Sequence, residues 1–145
     1  MTKTLVLLLL FYFICLGNFT MMGGRETVSN PNQSDLIRRI SRFATEQINA
    51  KSNSLYAMRC TNIISAATQV VAGINYFLTI ELSPTVCKLN TGKLSNLNVQ
   101  KCKLLTGPRA AAMDLTCTVQ VYERAWEHLI KLVDFNCHPT YRGST

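Results

Sequence analysis

Acidic residues are scarce in this chain, with 8 Asp and Glu against 15 Lys and Arg and a formal net charge of +7. Histidine is scarcer still, and His128 and His138 are the only two. No histidine pair falls at helical spacing, no CxxC pair occurs, and neither a glycine-rich phosphate loop nor G-x-S-x-G is present. These absences remove the constellations of metal centres, nucleotide sites and common hydrolases. The chain is expected to be no enzyme, with no cofactor and no metal. Cys60 and His128 would make a thiol–imidazole couple, but nothing local supports one, and each reads as a core or surface residue. Beyond residue 20 no apolar run approaches the roughly 20 residues a membrane helix needs, so no anchor is expected. The basic residues are dispersed. Arg38, Arg39 and Arg42 form the densest group and read as a solvated helix face, not a nucleic-acid footprint.

The first residues read as a targeting segment. Lys3 precedes an apolar run from residue 5 to residue 16, which Gly17 closes. A basic residue, about a dozen apolar residues and a small-residue exit make a secretory signal peptide over residues 1–20, with cleavage between about residues 17 and 20. The expected mature protein is secreted and forms a single domain over residues 21–145. Without Lys3 its charge is +6, from 14 basic and 8 acidic residues. Cys15 leaves with the leader, so Cys60, Cys87, Cys102, Cys117 and Cys137 remain. The last four favour two local bridges, each worth roughly 3 kcal/mol if sequence neighbours pair. Their spacing leaves three pairings open, and Cys60 is the odd one, read as a small buried apolar residue before an intermolecular link. Sequons stand at Asn18 and Asn32.

Along the chain, residues 21–33 (MMGGRETVSNPNQ) are expected to begin mobile and become ordered later. SDLIRRISRFATEQINAK (34–51) then places Leu36, Ile37, Ile40, Phe43, Ala44, Gln47 and Ile48 on one helical stripe, opposite Arg38, Arg39, Arg42 and Glu46. Ser34 is the predicted N-cap, and the SNS turn at 52–54 stops the helix. LYAMRCTNIISAAT (55–68) is β-compatible and runs into QVVAG. From Ile74, residues 74, 76, 78, 80 and 82 alternate with 75, 77, 79 and 81, the period of a strand that Pro84 should end. Residues 85–109 read as an irregular excursion. AMDLTCTVQVY and HLIKLVDFNC are two further strands joined by ERAW. One helix followed by four or five antiparallel strands predicts an α+β fold, with a sheet wrapping one face of the helix.

Three stretches look wasteful as fold alone. MMGG puts two methionines beside conformationally free glycines. QVVAG puts adjacent valines where a hairpin turn belongs, and by itself would favour a bulged strand. ERAW puts the single tryptophan, Trp126, in a tight connection. In a meander both hairpins can emerge at one end of the sheet, beside the segment leading into the helix. Three apolar elements at one rim, with no polar catalytic group, suit insertion into a narrow cleft of another protein.

With Gly23-Gly24, the Q-x-V-x-G motif as Gln69-Val70-Val71-Ala72-Gly73, Trp126 and four C-terminal cysteines, the chain resembles the secreted, disulfide-bonded (type 2) cystatins, inhibitors of papain-like cysteine proteases. The resemblance covers nearly the whole mature chain. It implies a five-stranded antiparallel sheet wrapped around one long α-helix, and bridges Cys87–Cys102 and Cys117–Cys137. It implies that Met21 and Met22 fill hydrophobic subsites of cathepsins such as L and S. Gly23 would let the backbone bend, residues 69–73 would form the first inhibitory hairpin, and Trp126 would stand on the second. Inhibition would be reversible and non-covalent. The family usually has proline before this tryptophan, and Ala125 stands here. Proline restricts the free loop, so the second hairpin is expected to be less preorganised. The strand proper is expected to begin at Ile74.

Ser52-Asn53-Ser54 also resembles the turn by which some secreted cystatins inhibit legumain, with serine at a third position where others carry aspartate. The resemblance further implies a monomer prone to domain swapping through the first hairpin. Two other readings compete. One is a non-inhibitory binding or immunomodulatory module on the same fold, against which stand Gly23, QVVAG and Trp126 together. The other is a basic membrane-active protein resembling the cathelicidin precursors, against which stands the short tail HPTYRGST, without a cationic amphipathic helix.

Overall fold

The computed structural model describes residues 23–89 and 98–140. The expected leader, Met21, Met22, the sequon at Asn18 and the last five residues lie outside them. Within the described residues, β1 (Arg25–Thr27) leads through a 3-10 turn (Pro31–Gln33) into α1 (Asp35–Lys51). Then come β2 (Tyr56–Val71), β3 (Gly73–Lys88), a 3-10 turn (Val99–Lys101), the short α2 (Pro108–Ala111), β4 (Leu115–Arg124), a third 3-10 turn (Ala125–Glu127) and β5 (Leu129–Pro139). The strands form one antiparallel sheet in the order β1-β2-β3-β4-β5. This is the α+β arrangement expected, and β1 is the ordered piece of the N-terminal segment that its composition did not reveal.

Local chemistry sets the helix ends. Ser34 Oγ accepts a hydrogen bond from the Ile37 N–H at 3.3 Å, satisfying one otherwise orphaned donor. Asp35 and Lys51 lie in the first and last turns, where their charges complement the helix dipole. Ser52 turns extended and stops the helix. The buried stripe is Ile37, Ile40, Ala44 and Ile48, with Ser41, Thr45 and Asn49 buried beside them. Leu36 was expected on this stripe but is 42% exposed, because the buried face runs through Ile37, Ile40/Ser41, Ala44/Thr45 and Ile48/Asn49, and Leu36 lies one helical step outside its edge. The stripe packs on Met58, Ile63 and Ala66 of β2, Tyr76, Leu78, Ile80 and Leu82 of β3, and Cys117, Val119 and Val121 of β4. Its β3 members lie on the period-2 face read from the sequence, with Ile74 of that face only partly buried.

Pro84 does not end β3, which continues to Lys88. The last β3–β4 pair is Leu82 with Leu115, so β4 demands no N–H from Pro84. The expected excursion is likewise part regular, since Thr85 bridges to Leu104 and α2 follows. Disulfides join Cys87 to Cys102 and Cys117 to Cys137, the second pair facing one another across β4 and β5. Cys60 is free and only half-buried, with its thiol 3.5 Å from the Asn62 carbonyl. Burial pushes that thiol's pKa up and so disfavours the reactive thiolate.

β2 is long and irregular, with register shifts between Tyr56 and Met58, Cys60 and Asn62, and Ile63 and Ser65. β1 pairs with it only at Gln69, Thr68 and Ala67. Beyond that short cover, two asparagine carboxamides take the place of a strand partner. Buried Asn49 accepts from the Met58 N–H at 2.9 Å and donates to the Met58 carbonyl at 2.8 Å. Asn32 does the same for Ile63, at 2.9 and 3.0 Å, and also donates to the Asn62 side chain. The amide nitrogen that a glycan would occupy in this sequon is therefore engaged in two hydrogen bonds. At the other end Arg39 of α1 pairs with Glu123 at 2.9 Å, and Glu123 accepts from the buried Tyr76 hydroxyl at 3.1 Å. Burial, then that bond to the carboxylate, pushes the Tyr76 pKa up to about 12.

Replacing Asn49 with Ala leaves two backbone groups of Met58 without their partner. The expected loss is about 2–4 kcal/mol of unfolding free energy, at roughly 1–2 kcal/mol per group, measured by urea denaturation.

Candidate functional site

The motif residues converge at the end of the sheet where β2 turns into β3. Gln69, Val70 and Val71 were expected in a loop with the strand beginning at Ile74. They are instead the last residues of β2, β3 begins at Gly73, and the turn is confined to Ala72. Val71 and Gly73 are paired directly across it. Alternation sends neighbouring strand residues to opposite faces, yet Val70 is 68% and Val71 44% exposed. Both faces of the hairpin end are therefore uncovered. The segment is strand by backbone and surface by environment.

Gly73 is needed here for two reasons. Its φ is +123°, which L side chains rarely adopt. A Cβ would also stand 2.6 Å from the Glu123 carbonyl oxygen and 2.8 Å from the Tyr122 hydroxyl. The hairpin end and β4 thus approach too closely for any side chain at this point.

Gly23 also has a positive φ, of +116°, and its carbonyl accepts a hydrogen bond from Gln69 Nε2 at 2.5 Å. That bond, with the β1 pairing of Arg25 opposite Gln69, lays the N-terminal segment alongside the first hairpin. Arg25 in turn stacks on the Phe77 ring, 3.6 Å from its centroid.

The second hairpin emerges next to the first because Ile74 of β3 pairs with Glu123 of β4. Ala125, Trp126 and Glu127 form its 3-10 turn, which His128 closes in a left-handed conformation. Trp126 is 68% exposed. Three residues that sequence reasoning passed over tie the hairpins together. Tyr122 donates its hydroxyl hydrogen to the Ala72 carbonyl at the first tip. Arg124 Nε donates to the Tyr122 hydroxyl at 2.9 Å and reaches the Ala72 carbonyl at 3.3 Å. Its other end pairs with Glu127 at 2.8 Å. An arginine and a glutamate three apart, flanking Ala-Trp, were the available sequence signal.

Ser52, Asn53 and Ser54 lie at the opposite end of β2. The Ser54 N–H donates to Ser52 Oγ at 3.0 Å, and Ser54 Oγ donates to the Tyr56 carbonyl at 2.9 Å. These two bonds brace the turn with Asn53 exposed at its apex. Cys60 and His128 do not meet: Cys60 is opposite Leu82, eight residues or roughly 26 Å of strand from the Ile74 end. Among the described residues there is no cluster of three or more His, Cys, Asp or Glu that would hold a metal ion, and no helix long and apolar enough to cross a membrane.

Replacing Gly73 with Ala should cost about 1–3 kcal/mol through the backbone conformation alone, with the close contact to β4 adding to it. Thermal unfolding of the variant reads this, and an unchanged midpoint would contradict the geometry.

Comparison with known proteins follows the same outline. The family described as the cystatin domain matches residues 23–126. A cystatin of Oxyuranus scutellatus scutellatus is 34% identical over 131 residues, covering 90% of this chain and 91% of that protein. Cystatin-2 of Crotalus adamanteus is 33% identical over 117 residues, covering 81% and 80%. Among solved structures, a salivary cystatin of the soft tick Ornithodoros moubata superposes with a TM-score of 0.64 at 26% identity, covering 80% of this chain and 97% of that one. Dimeric human cystatin F superposes with a TM-score of 0.71 at 22% identity, covering 88% and 95%, a likeness of fold.

Proposed function

The chain belongs to the cystatin family, whose members are protease inhibitors and not enzymes, and from that premise we propose that it is a secreted, reversible, tight-binding inhibitor of papain-like cysteine proteases such as cathepsins L and S. The observation that carries this reading is apolar surface held outside the core in one place. Val70, Val71 and Trp126 are exposed on two adjacent hairpins, with Gly23 tied to the first of them. Such residues gain most by entering a cleft that removes them from water, and they do so without offering a bond for cleavage.

In this reading Met21, Met22 and Gly23 occupy the non-primed side of the protease cleft. Gln69, Val70, Val71, Ala72 and Gly73 enter at its centre, and Ala125 and Trp126 take the primed side. Gln69 contributes indirectly, since its amide holds Gly23 in place. Both hairpins are anchored in the sheet, so little order is lost when they bind. The protein acts as a monomer, with swapping through the first hairpin as its alternative state.

Titration against papain and cathepsins B, L and S tests this reading. Inhibition at nanomolar concentration is expected, and none at micromolar concentration would overturn it. Trp126→Ala should weaken inhibition by about 10- to 30-fold, as for a buried aromatic anchor.

A second site is favoured by the braced turn at the other end of β2. Asn53 stands exposed between two hydrogen-bonded serines, a geometry suited to presenting its side chain to the asparagine-selective pocket of legumain. Asn53→Lys should abolish legumain inhibition and leave papain inhibition intact. Equal loss of both activities would rule out separate sites.

A further inference from the structure

The tip of the first hairpin and the turn carrying Trp126 share one polar chain, and Arg124 is its centre. Its Nε–H donates to the Tyr122 hydroxyl, and that hydroxyl donates onward to the Ala72 carbonyl. The same Nε reaches the Ala72 carbonyl at 3.3 Å. From the far side of the guanidinium, one nitrogen holds both Glu127 carboxylate oxygens, at 2.9 and 2.8 Å. A single side chain therefore touches the apex of one hairpin, the stem between them, and the residue after Trp126.

We propose that Arg124 is a positioning residue that couples the two hairpins, holding the Trp126 turn at a set distance from the Ala72 tip before any protease binds. The inference rests on the inhibitory reading given above and adds to it the source of the second hairpin's order. The turn has no proline, and Arg124 supplies through space what a proline would supply through the chain. Backbone geometry is consistent with that exchange. Arg124 has φ −124° and ψ +89°, outside the α region that a following proline disfavours. Ala125 begins the 3-10 turn, the position proline favours.

An exposed ion pair alone would contribute little, since Arg124 and Glu127 side chains are 32% and 48% exposed. The effect comes from sharing. The arginine polarises the tyrosine hydroxyl that bonds Ala72, so loss of either carboxylate or guanidinium loosens both hairpins. Tyr122 is held in its turn by Lys131, whose ammonium lies 5.5 Å from the ring centroid on the β5 side.

Trp126 is the only tryptophan, so its fluorescence reports this turn directly in the free protein. Arg124→Ala, and separately Glu127→Gln, should lower the Trp126 anisotropy and increase its quenching by acrylamide, with the far-UV circular dichroism unchanged. Arg124→Ala should also raise the papain inhibition constant by about tenfold, the cost of ordering the loop on binding. Adding Ala125→Pro to Arg124→Ala should recover about two- to fivefold, and the same change in the parent chain should give less. Unchanged anisotropy and quenching in both single variants would overturn the proposal. So would an equal gain from Ala125→Pro in both backgrounds, because the two devices would then be independent. Should the parent chain inhibit no papain-like protease, the inhibitory reading falls, and the fluorescence measurements alone still decide whether Arg124 orders the turn.

Discussion

The sixteen-residue β2 does not keep an unbroken ladder, and the fold depends on how its interrupted backbone is satisfied. Its register slips at three places, and β1 covers only its last few residues. Backbone N–H and C=O groups left in this condition are costly unless something answers them. Asn49 and Asn32 answer at Met58 and Ile63, each presenting a donor and an acceptor in the pattern of a neighbouring strand. Asn49 does so from inside α1, so the same bonds that satisfy the strand also set the helix against the sheet. Ile37, Ile40, Ala44 and Ile48 then meet the inward face of β3 and β4.

Because the helix covers only part of the sheet, the far end of the β2–β3 hairpin projects beyond it. That projection explains why two adjacent valines remain exposed. Stability alone would favour polar residues there, since a solvated valine contributes nothing to the core and risks association. The exposed apolar tip makes sense as a surface completed by a partner. The close approach of Gly73 to Glu123 and Tyr122 brings the second hairpin into the same region. One local constraint, a glycine with no room for a Cβ, thus helps place Trp126 near Val70 and Val71.

Much of this was legible in the sequence. The helix boundaries followed from Ser34, the apolar stripe and the SNS stop, and β3 followed from its alternation. The family was legible in QVVAG, Gly23, Trp126 and the cysteines, and the match over residues 23–126 bears that out. What escaped was β1, which has three exposed residues and no periodicity to find. The extension of β3 past Pro84 also escaped, because proline breaks a ladder only where a partner needs its N–H. QVVAG was placed in a loop when it ends one strand and begins the next.

The sequence by itself determined the long helix, the central strands and the apolar stripe or face of each, and which family the chain joins. Those properties are local, carried by spacing along the chain and by short motifs. Tertiary structure decided which apolar residues stay outside, which asparagines complete β2, and that Tyr122, Arg124 and Glu127 bind the two hairpins together. Each of these depends on a cross-strand neighbour. Ala72 and Arg124 are 52 residues apart in the chain and 3.3 Å apart in space. Nothing in local spacing encodes that pairing, because it arises only when the strands align.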